Sequence, residues 1–306
     1  MSTPILHHYD VSPYAEKARL MLGFKALAWK SVVIPMVMPK PDLTCLTGGY
    51  RRTPVLQIGA DIYCDTKTIA WALEKLRPRP TLFPPCSEAS ERALSSLGDS
   101  MFVATVTVLL GAGFFPQAFI DDRQKMFGNA FNAEEAKLLV PTKRDQLRAA
   151  LASLEQQLCD GRPFFLGDDA SLADFSVYNP ISFMPLAPPT AELLSPFLRV
   201  LEWRDSMAAI GHGDRTEISA EDAIEEARRS TPASSGGVDP LEPNGYRAGD
   251  RITVMPEDYG RDPVTGELVG SDPFQISLLR NDSRVGDVVV HFPRQGYVVT
   301  PAAASA

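Results

Sequence analysis

Residues 77–86 read Arg77-Pro78-Arg79-Pro80-Thr81-Leu82-Phe83-Pro84-Pro85-Cys86. Each proline fixes φ and removes a backbone donor, so neither a helix nor a central strand can cross this stretch. The hydrophobic period also differs on its two sides. A change of period across a proline-rich break predicts two domains of different class joined by a linker at about 77–86.

Upstream of the break, Pro4-Ile5-Leu6-His7-His8-Tyr9 reads as a strand, Ser12 to Phe24 as a helix and Trp29 to Ile34 as a second strand. This βαβ order makes the two strands parallel. A loop containing Pro35, Pro39 and Pro41 follows. Then Pro54-Val55-Leu56-Gln57-Ile58 and Asp61-Ile62-Tyr63-Cys64 form two β segments around Gly59-Ala60, a two-residue hairpin signal. A helix is expected from about Thr66 to Leu76, with Ile69, Leu73 and Leu76 on one stripe. Downstream, helical patterns recur at Glu88–Leu110, Ala133–Leu158 (interrupted at Pro141), Leu172–Met184 and Pro196–Ile210.

A second change comes at Ser230-Thr231-Pro232-Ala233-Ser234-Ser235-Gly236-Gly237, small and polar as a flexible linker is. Beyond it, short β-branched runs at 251–254, 274–279, 287–292 and 297–299 alternate with Gly, Pro and Asp turns. The expected organisation is therefore a small α/β domain over 1–78, an all-helical domain over 86–229 and a small β-rich unit over 238–306. If that last unit packs separately, a chain ending at Ser230 keeps a folded two-domain protein. A length of 306 residues agrees with several units, since one hydrophobic core seldom grows past about 250–300 residues.

Charge narrows the partners. Lys and Arg total 30 against 38 Asp and Glu, a formal net charge of −8, without a basic block to track a phosphate backbone; nucleic acid is not an expected partner. The start, Met1-Ser2-Thr3-Pro4, has no basic segment leading into an apolar run, so export is not expected. The apolar stretch Met101–Phe115 is shorter than the roughly 18–20 residues a bilayer requires and reads as a buried helix, with no membrane partner. Cys45, Cys64, Cys86 and Cys159 lie far apart, and His7, His8 and His212 lack metal-ligand spacing. Reduced thiols, a cytoplasmic location and no metal are the expectation.

Three short sites draw attention. Val11-Ser12-Pro13-Tyr14-Ala15-Glu16-Lys17-Ala18-Arg19 follows the first strand. Ser12 suits a helix cap and Pro13 the first helical position, which explains the pair on folding grounds alone. The same geometry offers a positive helix end and a hydroxyl able to stabilise a thiolate carried in by a ligand. Thr53-Pro54-Val55 opens a strand after Arg51-Arg52, a place where proline is sterically tolerated. Asp65-Thr66 begins a helix and has an equally ordinary reading as a capping pair.

In order and spacing the three resemble the glutathione-binding half of the glutathione S-transferase family. Gly161-Arg162-Pro163-Phe164-Phe165-Leu166-Gly167-Asp168-Asp169-Ala170-Ser171-Leu172-Ala173-Asp174 is similar to that family's segment entering its internal helix, with Ser171 and Asp174 as a capping box. The resemblance spans about residues 3–215. It implies a thioredoxin-like N-terminal domain, a helical transferase C-terminal domain and, as a departure from the family layout, the β-rich appendage. It further implies that Ser12 hydrogen-bonds the glutathione sulfur, as in serine-type classes, the Ser-Pro-aromatic run being most like the tau class, with Tyr9 and Tyr14 as substitutes. Thr53-Pro54 would be the family's cis-proline, which turns the backbone of Val55 toward the cysteinyl part. Asp65 and Thr66 would hold the γ-glutamyl group, with Thr where the family usually has Ser. Lys40, Arg51 and Arg52 either face the glycyl carboxylate or are solvated loop cations.

The implied function is conjugation of the glutathione thiolate to small, hydrophobic electrophiles in detoxification, with glutathione as co-substrate and a homodimer among the assemblies the family allows. Met101, Phe102, Phe114, Phe115 and Phe119 suit either an apolar pocket for the electrophile or plain core. Two other readings stay open. One is a non-catalytic, transferase-like binding or scaffold protein using the β unit. The other is a glutathione-dependent thiol reductase or peroxidase, which would favour Cys where Ser12 stands. Val290-His291-Phe292-Pro293-Arg294-Gln295-Gly296-Tyr297 suits a cover for a partner subunit or the site mouth, or an ordinary turn.

Overall fold

The computed structural model describes residues 2–127, 131–233 and 236–302. Ser234 and Ser235 of the expected linker, and residues 303–306, lie outside the described residues. The chain begins β1 (Ile5–His8), α1 (Pro13–Phe24), β2 (Ala28–Val33), with β1 and β2 parallel as the βαβ pattern requires. The expected proline loop contains a short helix, α2 (Pro41–Thr47). Pro41 occupies its first turn, where a missing N–H costs nothing, and Gly48 ends it at a left-handed φ of 78°. β3 (Val55–Ile58) and β4 (Asp61–Cys64) form the hairpin, with Gly59 at φ 61°, and α3 (Thr66–Leu76) follows.

The helices α4 (Glu88–Gly111), α5 (Gln117–Phe127), α6 (Ala133–Gln157), α7 (Leu172–Phe183), α8 (Pro188–Leu194) and α9 (Leu198–Ala209) come next. α6 runs unbroken through Pro141, where the sequence predicted an interruption, because the buried row Leu147, Leu151 and Leu154 holds the helix beyond the lost hydrogen bond. α4 and α7 approach closely at Gly98, where a Cβ would sit 2.5 Å from the Ser176 carbonyl oxygen. By length and composition α4 could cross a bilayer, which the 101–115 stretch alone could not. Its Gly98, Met101, Thr105 and Val108 are buried within the helical unit. Asp174 organises the entry to α7. One carboxylate oxygen accepts from Phe165 N at 2.9 Å and Trp203 Nε1 at 3.0 Å; the other accepts from Ser171 N at 2.9 Å and Ser171 Oγ at 2.7 Å. Burial raises its pKa against these donors, a folding role and not a chemical one.

Residues 214–217, expected within the helical domain, form a strand. β5 (Asp214–Glu217) pairs in parallel with β2, and α10 (Ala220–Arg229) follows. Asp-Arg-Thr-Glu carries no apolar alternation because an edge strand can be held by backbone pairing alone. Then come β6 (Gly237–Val238), β7 (Arg251–Pro256), β8 (Val264–Ser271), β9 (Gln275–Asp282), β10 (Gly286–Pro293) and β11 (Tyr297–Pro301). The strands β7 to β11 form the expected β appendage, yet they do not build a sheet of their own. Among the described residues all strands join one sheet of order β11-β7-β8-β9-β10-β4-β3-β1-β2-β5, with β6 on β8. The junction is a parallel pairing of β10 with β4, Val290 opposite Ile62 and His291 opposite Tyr63.

Two compact units result, Met1–Ala15 with Ala28–Ala72 and Asp214–Ala306, and Glu16–Leu27 with Leu73–Gly213. In the first, Ile5, Val55 and Ile62 share one core with Ile224 of α10 and with Ile252, Ile276, Val290 and Phe292 of the appendage.

A buried polar chain lies in the same unit. His7 Nε2 meets Gln57 Oε1 at 2.9 Å, and Gln57 Nε2 donates to Gly59 O at 3.0 Å and Ala223 O at 2.8 Å. Burial drives the His7 pKa down to about 4 from the ordinary 6.5, partly opposed by the Gln57 bond. The unfolded chain therefore binds the proton more readily, and stability falls as pH drops from about 6.5 toward 4, by on the order of 3 kcal/mol. Urea midpoints measured from pH 7 to pH 4.5 should show this slope in the wild type and a shallower one in His7→Leu; equal slopes would remove His7 as its source.

Candidate functional site

The chemistry-bearing residues gather at the ends of β1, β3 and β4. β1 ends at His8, and the chain turns into α1 through a hydrogen bond from Ser12 N to Tyr9 O at 3.1 Å. Pro13 opens the helix, and Ser12 Oγ accepts from Ala15 N at 3.2 Å while the residue is only 3 % exposed. The cap reading of Ser12 is thus met. A hydroxyl oxygen that accepts an N–H has its own proton polarised, which makes it a better donor to an anion placed beside it.

Lys40, just before α2, is buried and donates from Nζ to Thr53 Oγ1 at 3.2 Å. Its ammonium lies 5.7 Å from the centre of the Tyr9 ring. Tyr9, Ser12, Lys40 and Thr53 therefore form one cluster at the turn after β1. Thr53-Pro54 is cis, and Val55 then enters β3 with His7 on one side and Cys64 on the other.

Asp65 stands where β4 passes into α3. Its φ of 83° is a left-handed conformation that a side chain makes costly, about 1–3 kcal/mol, and that surrounding bonds must hold. Asp65 Oδ1 accepts from Lys67 N at 2.9 Å, and its backbone carbonyl accepts from Ile69 N and from Thr68 Oγ1. The other carboxylate oxygen, Oδ2, accepts from the Tyr297 hydroxyl at 3.3 Å, and that hydroxyl lies 3.0 Å from the Tyr50 hydroxyl. Burial, with the Asp65 charge adding to it, pushes the Tyr50 pKa well above its usual value. Burial does the same for Tyr297, with Tyr50 and Asp65 adding to it, so both phenols keep their protons. Thr66 is the first residue of α3 and is buried.

Arg51 and Arg52 are half-buried. Arg52 is engaged by the appendage: its guanidinium pairs with Asp258, donates to Tyr259 O and stacks 3.8 Å from the centre of the Tyr259 ring. The sequence reading placed Arg52 against a ligand carboxylate or in solvent; neither describes this partner. Tyr50, Tyr297, Asp258 and Tyr259 were not singled out as site residues. Tyr297 closes the stretch 290–297 noted for its basic and aromatic content, but the pairing of β10 with β4 that brings it to Asp65 leaves no mark in the spacing.

The two thiols of this unit, Cys45 and Cys64, are poorly suited to act as nucleophiles. Burial raises the pKa of both Cys45 and Cys64, and a protonated thiol is a weak nucleophile. Among the described residues no group of three His, Cys, Asp or Glu side chains could hold a metal. The arrangement places a polarised hydroxyl at one helix start, a carboxylate at a second helix start and a strand end between them.

Comparison with known proteins agrees. Residues 6–81 match the glutathione S-transferase N-terminal domain and residues 124–206 its C-terminal domain. A GST-like protein from Pseudomonas syringae is 40% identical, with a TM-score of 0.82, covering 99% of this chain and 100% of that one, so the likeness includes the β appendage. A glutathione S-transferase from Methylobacillus flagellatus KT, solved with GSH bound, is 17% identical with a TM-score of 0.54, over 68% of this chain and 99% of that one. The tau-class enzyme MiGSTU from mango, Mangifera indica, is 18% identical with a TM-score of 0.52, over 68% and 89%. These two share the fold. No curated protein matches. With two domain matches in register and a full-length relative at 40% identity, the chain belongs to the glutathione S-transferase family.

Proposed function

We propose that the protein is a glutathione transferase that joins the glutathione thiolate to small, hydrophobic electrophiles. The observation that carries this reading is Ser12, buried at the start of α1 with its oxygen already accepting the Ala15 N–H. A free thiol has a pKa near ~8.5, and lowering it by about 2 units takes about 2.7 kcal/mol of preference for the thiolate. A hydroxyl donor and a helix N-terminus are together of that size. The thiol proton leaves to solvent, the sulfur lone pair forms the new C–S bond, and the electrophile's leaving group departs with its electron pair. Pro54 and Val55 present strand backbone to the cysteinyl part, and Asp65 with Thr66 receives the γ-glutamyl ammonium. Lys40 and Arg51 supply positive charge toward the glycyl carboxylate. Arg52, held by Asp258, contributes less. Ser in place of Cys at residue 12 disfavours the reductase reading. Detoxification in the cytoplasm by a homodimer completes the proposal, and sedimentation analysis tests the assembly.

Calorimetric titration with glutathione, followed by turnover of chlorodinitrobenzene, tests the whole. Binding without turnover would favour a binding or scaffold protein; no binding sinks the proposal. Asp65→Ala is expected to weaken glutathione binding by about 10- to 100-fold, the size of a lost charged hydrogen bond. Because Asp65 also caps α3 through Lys67 N, thermal unfolding is measured alongside. Unchanged affinity in a folded variant would show that Asp65 is not the anchor.

A further inference from the structure

The geometry points to Tyr297 of the C-terminal β appendage as a positioning residue for the ligand's γ-glutamyl end, acting through the Asp65 carboxylate. This rests on the reading of Asp65 as the ammonium anchor and assigns the appendage a part in the site.

Three observations carry it. First, Asp65 sits at φ 83°, a backbone position its surroundings must hold, and its carboxylate is held as well. Lys67 N holds Oδ1 and the Tyr297 hydroxyl holds Oδ2, one donor on each oxygen. An ionised carboxylate has about four acceptor positions, so two remain for an ammonium and the plane of the group is set before the ligand arrives. Second, the Tyr297 proton has a defined direction. A carboxylate only accepts, so Tyr297 donates to Asp65 and accepts from Tyr50, giving the chain Tyr50 to Tyr297 to Asp65. Both phenols are at least nine-tenths buried, where a bond of this kind is stronger than in water. Third, the cation beside this chain is paired by the appendage. The charge of Arg52 acts on both tyrosine hydroxyls, yet its guanidinium is taken by Asp258 and Tyr259. The appendage thus supplies both the donor that orients the anchor and the carboxylate that pairs with the neighbouring arginine.

Tyr297→Phe removes one hydroxyl and keeps the ring that packs on Phe292. The full-length variant is titrated with glutathione and with cysteinylglycine, which lacks the γ-glutamyl group, and assayed with chlorodinitrobenzene. The expected result is a rise in glutathione Kd and KM of about tenfold, unchanged kcat, and unchanged affinity for cysteinylglycine. Equal losses for the two thiols, a fall in kcat alone, or an unchanged or tighter glutathione Kd each overturn the assignment. If Tyr297→Phe does not fold, Tyr50→Phe takes its place, with a smaller rise in the same direction and the same indifference to cysteinylglycine; no rise overturns the assignment. Asp65→Asn separates the two levels. If it leaves glutathione affinity unchanged, the anchor reading fails and the role of Tyr297 with it; if it weakens binding while Tyr297→Phe does not, only the role of Tyr297 fails.

Discussion

Replacing Ser12 by alanine is expected to lower kcat/KM for conjugation by about 10- to 100-fold, because a hydrogen bond to a charged group contributes about 1.5–3 kcal/mol and each 1.36 kcal/mol is tenfold in rate. Glutathione affinity measured below the thiol pKa should change by less than about threefold, since the peptide anchors do not involve the hydroxyl and the bond favours the thiolate over the thiol. The rising limb of the pH–rate profile should move up by about 1–2 units, toward the free thiol value near 8.5. Ser12 Oγ also accepts the Ala15 N–H, so the variant loses a cap and about 1 kcal/mol of stability. Cysteine at the same place would keep a weak donor and is expected to recover part of the rate. A variant with the wild-type pH–rate profile and rate would take Ser12 out of the mechanism, whatever its stability.

The parts of this site that could be read in the chain are those whose geometry is local. Ser12-Pro13 and Asp65-Thr66 sit at helix starts because capping is decided within four residues, and the hairpin at Gly59 follows from a dipeptide. Ser171 and Asp174 formed their predicted box for the same reason. Features set by distant segments were not legible. β8 escaped notice because Gly266 and Gly270 break its β-branched run, and only the structure shows that a Cβ at Gly266 would meet the Leu279 carbonyl oxygen at 2.7 Å. β5 is four polar residues whose only reason to be extended is the open edge of β2. Tyr297 reaches Asp65 across more than two hundred residues of sequence, and a hydrophobic alternation that marks 297–299 as a strand says nothing about which strand it lies near. The small polar linker at 230–237 pointed to a separate module, whereas a short linker serves equally well to return the chain to the sheet it has just left.

That return makes the largest effect a structural one. A chain ending at Ser230 is expected to yield little soluble protein, and what remains soluble should lack a cooperative unfolding transition, against the expectation of a separately packed appendage. Removing β10 strips β4 of its parallel partner, leaving the backbone groups of Asp61 to Tyr63 as an open edge in mid-sheet. Asp61 then loses His291 Nε2 at 2.9 Å and Ala233 N at 2.8 Å and meets water in their place. Ile62, Val55 and Leu46 lose the side of the core supplied by Ile276, Leu278, Val290 and Phe292. Each fully buried aliphatic or aromatic side chain is worth about 1.5–3 kcal/mol, so uncovering these three already approaches the roughly 5–15 kcal/mol by which a whole domain is stable. Capping the exposed edge is the control: a truncated chain carrying charged substitutions at the β4 edge should gain solubility without regaining native glutathione affinity, because Asp65 still lacks Tyr297. A truncated chain that melts cooperatively near the wild-type temperature and binds glutathione with native affinity would show that the appendage is dispensable, for the sheet and for the site alike.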